Sequence, residues 1–107
     1  MEEWKIYPEL SNYEVSNLGR VRNIKTKRIL SKNIDKDGYF YVGLYQNKKK
    51  YCRHIHRMVA LTFISNPDNL PIVDHINQDK QDNKINNLRW VTHKGNARNS
   101  KLNSKVK

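Results

Sequence analysis

Asp74 and His75 are adjacent residues whose side chains together could hydrolyse a phosphate ester. They follow the apolar pair Ile72-Val73, and Asn87 and Asn96 lie downstream. Carboxylate and amide oxygens suit a hard cation such as Mg²⁺ or Mn²⁺, and an imidazole can take a proton from water. Because adjacent residues of a strand point to opposite faces, the cation and the base can be separate groups. One-metal phosphodiester hydrolysis requires that separation.

The second half of the chain predicts a helix and then a strand, loop, strand and helix. Apolar residues at helical spacing predict a helix over residues 56–64, which Asn66-Pro67-Asp68 would end. Ile72-Val73 begins a short strand, residues 77–87 form a polar loop, and residues 88–92 alternate like a second strand. Thr92 can cap a final helix from His93 towards Ser100.

The first half predicts short antiparallel strands. Residues 13–15 and 20–22 bracket Gly19, which predicts a hairpin with a positive φ at that glycine, and residues 28–30 are a candidate further strand. Asp37-Gly38 predicts a turn before a strand over residues 39–45 that returns over residues 51–55. In the first of these strands, Phe40, Val42 and Leu44 share one face, and Tyr39, Tyr41 and Tyr45 share the other. The fold class is therefore α+β: N-terminal antiparallel strands and hairpins, a central helix, then a ββα segment.

Charge along the 107 residues indicates a polyanionic partner. The net charge is +11, with +10 in residues 20–57 and +5 in residues 94–107, while residues 58–93 carry −1. Two basic stretches around a nearly neutral segment suit a protein that grips phosphates with its flanks. The single cysteine, Cys52, suits a reducing compartment. No stretch is apolar enough to span a membrane and no signal peptide is visible, so we expect a cytoplasmic protein with no membrane partner.

Several motifs in collinear order resemble HNH endonucleases of the phage and intron homing type. Val73-Asp74-His75-Ile76, the stretch over residues 83–92 and Asn96 resemble their ββα-metal motif. Trp4-Lys5 and residues 13–21 resemble the NUMOD4-like module that often precedes it, and residues 56–60 resemble the start of the family's helix. The resemblance spans roughly residues 3–99.

The resemblance implies a role for each matching residue. His75 would be the general base, Asp74 a ligand of one divalent cation, Mg²⁺ or Mn²⁺, and Asn96 its second ligand. Asn96 stands where much of the family has His, which argues for a hard metal rather than tight Zn²⁺. Asn87 would pin the loop and orient the backbone and ring of His75, while other loop asparagines such as Asn83 would only form turns.

The activity that the resemblance implies is metal-dependent hydrolysis of DNA to a 5′-phosphate and a 3′-hydroxyl. One active site predicts nicking by a monomer, and a double-strand break would need a homodimer or a second event. We expect one domain, with a β-rich DNA-binding part over residues 1–54, the nuclease motif over 55–100 and a basic tail over 101–107. The basic side chains expected to contact DNA are Arg20, Arg22, Lys25, Lys27, Arg28, Arg53, Arg57, Lys94 and Arg98.

Four alternatives remain open from the sequence. The alternating residues Cys52, His54 and His56 could form a zinc site. His93 could assist or replace Asn96, although a surface or phosphate-contacting role is the better interpretation. The whole protein could instead be a DNA-binding module that does not cleave, or a small basic protein that binds RNA through its Tyr-rich strand.

Overall fold

The computed structural model describes residues 1–93, and in this part of the chain short antiparallel strands surround one nine-residue helix. The strands form three sheets, with the orders β1-β2-β3, β4-β5-β6 and β7-β8. The elements are β1 (Trp4–Ile6), β2 (Tyr13–Ser16), β3 (Val21–Asn23), β4 (Asn33–Ile34), β5 (Phe40–Gln46), β6 (Lys49–His54), α1 (Ile55–Phe63), β7 (Ile72–His75) and β8 (Leu88–Val91). The predicted α+β class is confirmed. The predicted final helix lies outside the described residues.

The hairpin of β2 and β3 turns at Gly19, as the sequence predicts. Gly19 has a φ of +89°, a conformation that side chains with a Cβ rarely adopt. The hydroxyl of Ser16 accepts hydrogen bonds from the backbone N–H groups of Leu18 and Arg20, at 3.2 and 3.1 Å. This fully buried serine therefore fixes the turn from inside.

The expected strand over residues 28–30 is not a strand. Ile29 forms a single bridge with Arg22, flanked by backbone bonds from Asn23 N to Arg28 O and from Leu30 N to Val21 O. Lys27, with a φ of +60°, turns the chain immediately before this segment, so the pairing does not extend into a ladder. The short strands β1 and β4 were not predicted, because stretches of three and two residues are too short to show an alternating pattern.

The hairpin of β5 and β6 confirms the predicted faces of the Tyr-rich strand. Val42 and Leu44 are buried, whereas Tyr45 on the opposite face is 61% exposed. The turn falls at Asn47 and Lys48, which both have positive φ, so the lysine run sits at the hairpin tip. Gly38, with a φ of +92°, forms the predicted turn before β5.

Helix α1 begins and ends one residue before the predicted bounds. Ile64, the residue after the helix, already has extended backbone angles, and Asn66-Pro67 follows. A helix of nine residues is marginal alone, so burial of its apolar face against the strands must stabilise it. The buried apolar core contains Tyr7, Leu10, Tyr13, Val15, Val21, Val42, Leu44, Ile55, Met58, Val59, Ala60, Val73 and Leu88. Trp90 packs against this core, as expected, and its indole N–H donates to Ile64 O at 3.2 Å.

Candidate active site

Asp74 and His75 are the last two residues of β7, and both line one pocket of about 330 Å³. Antiparallel pairing places them opposite Arg89 and Leu88 of β8. Asp74 is 8% exposed and His75 is 6% exposed, so the protein itself fixes both side chains. The structure thus brings the two residues that the sequence singled out to one wall. The same pocket is lined by Tyr39, His56, Arg57, Ile72, Val73, Gln78 and Lys80.

The His75 ring is held by Asn83 and by stacked rings. Its Nε2 lies 2.7 Å from Oδ1 of Asn83, which is itself only 5% exposed. The ring centroid of His56 lies 5.0 Å from that of His75, and the ring of Tyr39 lies 5.9 Å away. These contacts leave little rotational freedom to the imidazole, which is the property a positioned base needs.

The carboxylate of Asp74 contacts Arg89. The guanidinium Nε of Arg89 donates to Oδ2 of Asp74 at 2.9 Å, and the Asp74 side chain is 9% exposed. The guanidinium therefore holds the carboxylate in a fixed position on the pocket wall.

Asn87 pins the loop between β7 and β8. Its Oδ1 accepts from the backbone N–H of Asn77, and its Nδ2 donates to Oδ1 of Asn77 and to the carbonyl of Asp82, at 2.8 to 3.0 Å. Its own carbonyl accepts from the N–H of Ile76, directly after His75. Asn87 therefore contacts the backbone beyond His75, as expected, but the ring contact comes from Asn83. From the sequence, Asn83 is expected only to form a turn, so its contact with the ring is an addition.

The chemistry of this wall fits a hard divalent cation. Asp74 provides a carboxylate, and at about 30 Å³ per water molecule the pocket has room for a cation that keeps several waters, as Mg²⁺ does. The expected second ligand, Asn96, lies outside the described residues, as do Lys94 and Arg98. Asp74 and the pocket are thus the part of the expected metal site that the structure describes.

The zinc alternative finds no support in residues 1–93, where no group of three or more His, Cys, Asp and Glu side chains could hold a metal. Cys52 is exposed, and Nε2 of His54 instead donates a hydrogen bond to Oδ2 of Asp35 at 2.7 Å. That bond holds the pKa of Asp35 at about 2. Burial, with a smaller contribution from the positive charge of nearby His75, lowers the pKa of His56 to about 3, so His56 is neutral at pH 7.

Within the described residues, the expected DNA-binding residues fall into three groups. Several are ion-paired with glutamates: Arg20 with Glu2, Arg22 and Lys27 with Glu14, and Arg53 with Glu9. Lys25 and Arg28 are exposed on the loop after β3. Arg57 lines the active-site pocket, donates to the carbonyl of Pro71 at 2.9 Å and lies over the Trp90 ring.

Sequence reasoning missed four residues at this site: Tyr39, Gln78, Lys80 and Asn83. Tyr39 and Lys80 come from distant parts of the chain, and Lys80 Nζ lies 5.0 Å from the centroid of the Tyr39 ring. Only the position of Asn83 inside the quoted motif could have signalled a role. Tyr39, Gln78 and Lys80 line the site because of how the two halves of the chain pack together, and no local sequence pattern predicts that packing.

No helix within the described residues is long and apolar enough to cross a bilayer. The predicted cytoplasmic location therefore stays a prediction.

Comparisons with known proteins agree along most of the chain. Residues 2–45 match the NUMOD4 motif, and residues 53–98 match a family described as HNH endonuclease. The chain is 43% identical to the uncharacterized HNH endonuclease L245 of Acanthamoeba polyphaga mimivirus, over 80% of this chain and 26% of that protein. It is 41% identical to the DNA endonuclease I-HmuI of Bacillus phage SP01, over 91% of this chain and 56% of that one.

A solved structure described as DNA binding and cleavage by the HNH homing endonuclease I-HmuI has the same fold. The TM-score is 0.85 at 39% identity, over 97% of this chain and 59% of the other. This chain spans between about a quarter and three fifths of the length of these relatives. The matched motifs, the shared fold and the geometry of Asp74 and His75 establish that this chain belongs to the HNH homing endonuclease family.

Proposed function

We propose that this chain is a divalent-metal-dependent DNA endonuclease that cuts one strand at a time. The observation that carries the proposal is that Asp74 and His75, both held by the fold, line one pocket in a chain of the HNH family. The I-HmuI structure, described as DNA binding and cleavage, supports DNA as the substrate.

His75 acts as the base in this proposal. The imidazole takes a proton from a water molecule as the water oxygen bonds to phosphorus, and the bond from phosphorus to the 3′ oxygen breaks. The released 3′ oxygen takes a proton from solvent water, so the products are a 5′-phosphate and a 3′-hydroxyl. His75 is suited to this task because its ring is fixed by Asn83 and packs against His56, whose lowered pKa keeps it from adding a second positive charge.

Asp74 and Asn96 hold the cation, Mg²⁺ or Mn²⁺. When bound, the cation stabilises negative charge on the phosphate and on the leaving oxygen. Arg89 keeps the Asp74 carboxylate in place, and Asn87 fixes the loop that leaves the site. Arg57, at the pocket wall, is placed to contact a phosphate of the strand being cut.

Basic residues in the N-terminal part of the chain bind the DNA backbone. Lys25 and Arg28 present exposed charges, and Arg20, Arg22, Lys27 and Arg53 can exchange their glutamate partners for phosphates. Lys94 and Arg98 would add contacts near the cut strand. The affinity should fall with salt at a slope of roughly −0.9 for each phosphate neutralised. A homodimer would be needed only for a double-strand break.

The experiment is cleavage of supercoiled plasmid with Mg²⁺ or Mn²⁺. We expect open circles from the wild type, no product with EDTA, and a large loss for Asp74→Ala and His75→Ala. Asp68→Ala, an exposed carboxylate after α1, is the control and should cleave normally. DNA ligase should reseal the nick directly, because it requires a 5′-phosphate and a 3′-hydroxyl.

Two results would contradict this proposal. DNA binding without nicking by the wild type would indicate a module that does not cleave. A preference for structured RNA over DNA would indicate an RNA-binding protein.

A further inference from the structure

The turn of the first hairpin lies directly against the loop that carries Asn83. The carbonyl of Asn17 accepts from the backbone N–H of Ile85 at 2.9 Å. A Cβ built at Gly19 would lie 3.1 Å from both the Cβ and the carbonyl oxygen of Asn83, and 3.3 Å from its carbonyl carbon. Since two of these contacts involve backbone, a side chain at residue 19 would have to displace the loop. The glycine is therefore required by its neighbour as well as by its positive φ.

Asn83 in turn determines which nitrogen of His75 carries a proton. Its Oδ1 lies 2.7 Å from Nε2, and an amide oxygen can only accept a hydrogen bond. Nε2 of His75 must therefore be the donor. In a neutral imidazole the other nitrogen, Nδ1, then has the lone pair that can take a proton from water.

We propose that the Asn17–Gly19 turn is a positioning element for His75, acting through Asn83, and that Nδ1 of His75 is the nitrogen that receives the proton. The catalytic half of this statement rests on the proposed function. The structural half concerns the ring alone and can be tested without cleavage.

The two segments matched by different families would then share one active site. Gly19 lies within residues 2–45, which match NUMOD4, whereas Asn83 and His75 lie within the HNH match. The N-terminal hairpin would accordingly have two tasks: its basic residues contact DNA, and its turn holds the catalytic base in position.

The direct test is the tautomer of His75, read by NMR from the ¹⁵N signals of ¹⁵N-histidine-labelled protein. The wild type should show Nε2 protonated and Nδ1 unprotonated at neutral pH. Asn83→Ala should give averaged signals of a ring that exchanges between tautomers. Asn83→Asp keeps the oxygen acceptor and should restore the Nε2–H form, and Asn86→Ala, an exposed asparagine of the same loop, should match the wild type.

Cleavage kinetics distinguish a loss of His75 positioning from a general loss of folded structure. At saturating DNA, Asn83→Ala should lower the rate about 10- to 100-fold, the usual effect of removing a group that orients a functional imidazole. The DNA concentration giving half the maximal rate should change less than threefold or so, because Asn83 is buried away from the basic surface. Asn83→Asp should recover most of the rate.

Gly38 provides the matched control for Gly19. Both glycines have a φ near +90°, but a Cβ at Gly38 would meet only Lys80 Cδ, at an ordinary 3.6 Å. Gly38→Ala therefore carries the same backbone strain without the collision. We expect Gly19→Ala to disturb the His75 tautomer signal and Gly38→Ala to leave it intact. Because Gly19→Ala can unfold the hairpin by strain alone, Gly19→Asn, which tolerates positive φ better, is measured beside it.

Three results would overturn the proposal: an Nδ1–H tautomer in the wild type, an unchanged tautomer in Asn83→Ala, or equal effects at Gly19 and Gly38. A protein that shows the expected tautomers but does not cleave DNA would instead refute the proposed function. The two failures are therefore distinguishable.

Discussion

The hydroxyl of Tyr13 forms both a donor and an acceptor bond with the backbone of Tyr45, at 3.1 Å to its carbonyl oxygen and 2.8 Å from its amide nitrogen. Tyr13 belongs to the first sheet and Tyr45 to the second. The hydroxyl of Tyr13 thus links two sheets by hydrogen bonds, although these sheets share no strand pairing among the described residues.

Tyr13→Phe should lower the free energy of unfolding by about 1 to 3 kcal/mol, because it leaves an amide and a carbonyl of β5 without their partner. Tyr45→Phe alters only an exposed hydroxyl and should change stability by less than about 0.5 kcal/mol. Urea denaturation of both variants checks this. Equal stabilities would show that the hydroxyl of Tyr13 does not join the sheets.

Stability should decline with acid because of His56. Its pKa of about 3 in the folded protein lies below the ordinary value of 6.5, so below pH 6.5 the unfolded chain binds a proton that the folded chain does not. The free energy of unfolding should therefore fall by up to about 1.4 kcal/mol per pH unit as the pH drops below 6.5.

The window between pH 6.5 and 4.5 isolates this effect, because Asp35 and Glu2, whose pKa values are lowered to about 2, lose their contribution only at lower pH. His56→Gln should flatten the curve of stability against pH in that window. Urea titrations at several pH values provide the measurement, and an unaltered slope in His56→Gln would refute the assignment to His56.

Substitution of the exposed basic residues should affect DNA binding alone, whereas substitution of an ion-paired one should also affect stability. Lys25→Gln and Arg28→Gln remove exposed charges, so each should weaken DNA binding and reduce the salt slope by about one phosphate contact. Arg22 lies between Glu14 and the ring of Trp4, with its Cζ 4.0 Å from the ring centroid, so Arg22→Gln should also lower the melting temperature. Fluorescence anisotropy over a salt series, with thermal melts, separates the two groups. Similar melts for all three variants would contradict this division.

Asn87→Ala should destabilise the loop as a whole. Three side-chain hydrogen bonds disappear, at about 0.5 to 1.5 kcal/mol each, so a loss of roughly 2 to 4 kcal/mol is expected. Asn86→Ala, next to it and exposed, is the matched control. Urea denaturation measures both, and a near-neutral Asn87→Ala would remove its proposed role in the loop.

The sequence predicted the fold where local signals are strong. Gly19 and Asp37-Gly38 marked turns by their backbone freedom, and Val42 and Leu44 marked a buried strand face by alternation. It failed where pairing depends on tertiary contacts. Ile29 makes one bridge where a strand was expected, and β1 is a strand through its pairing with β2.

The candidate site was predictable only in part. Asp74 and His75 were found from residue type and order, and the structure places them on one pocket. The residues that hold the His75 side chain in position were not predicted. Asn83 bonds to the His75 ring and lies against the hairpin turn at Gly19, although Gly19 and Asn83 are more than sixty positions apart in the chain. A linear pattern cannot show such a contact.

The most direct test is single-turnover cleavage of DNA bound before the metal is added. Wild type, Asp74→Ala and His75→Ala are each saturated with DNA in EDTA, binding is confirmed, and excess Mn²⁺ starts the reaction. We expect similar DNA occupancy for the wild type and both variants, and rapid nicking by the wild type alone. Nicking by DNA-bound His75→Ala at the wild-type rate, or nicking before the metal is added, would contradict this expectation.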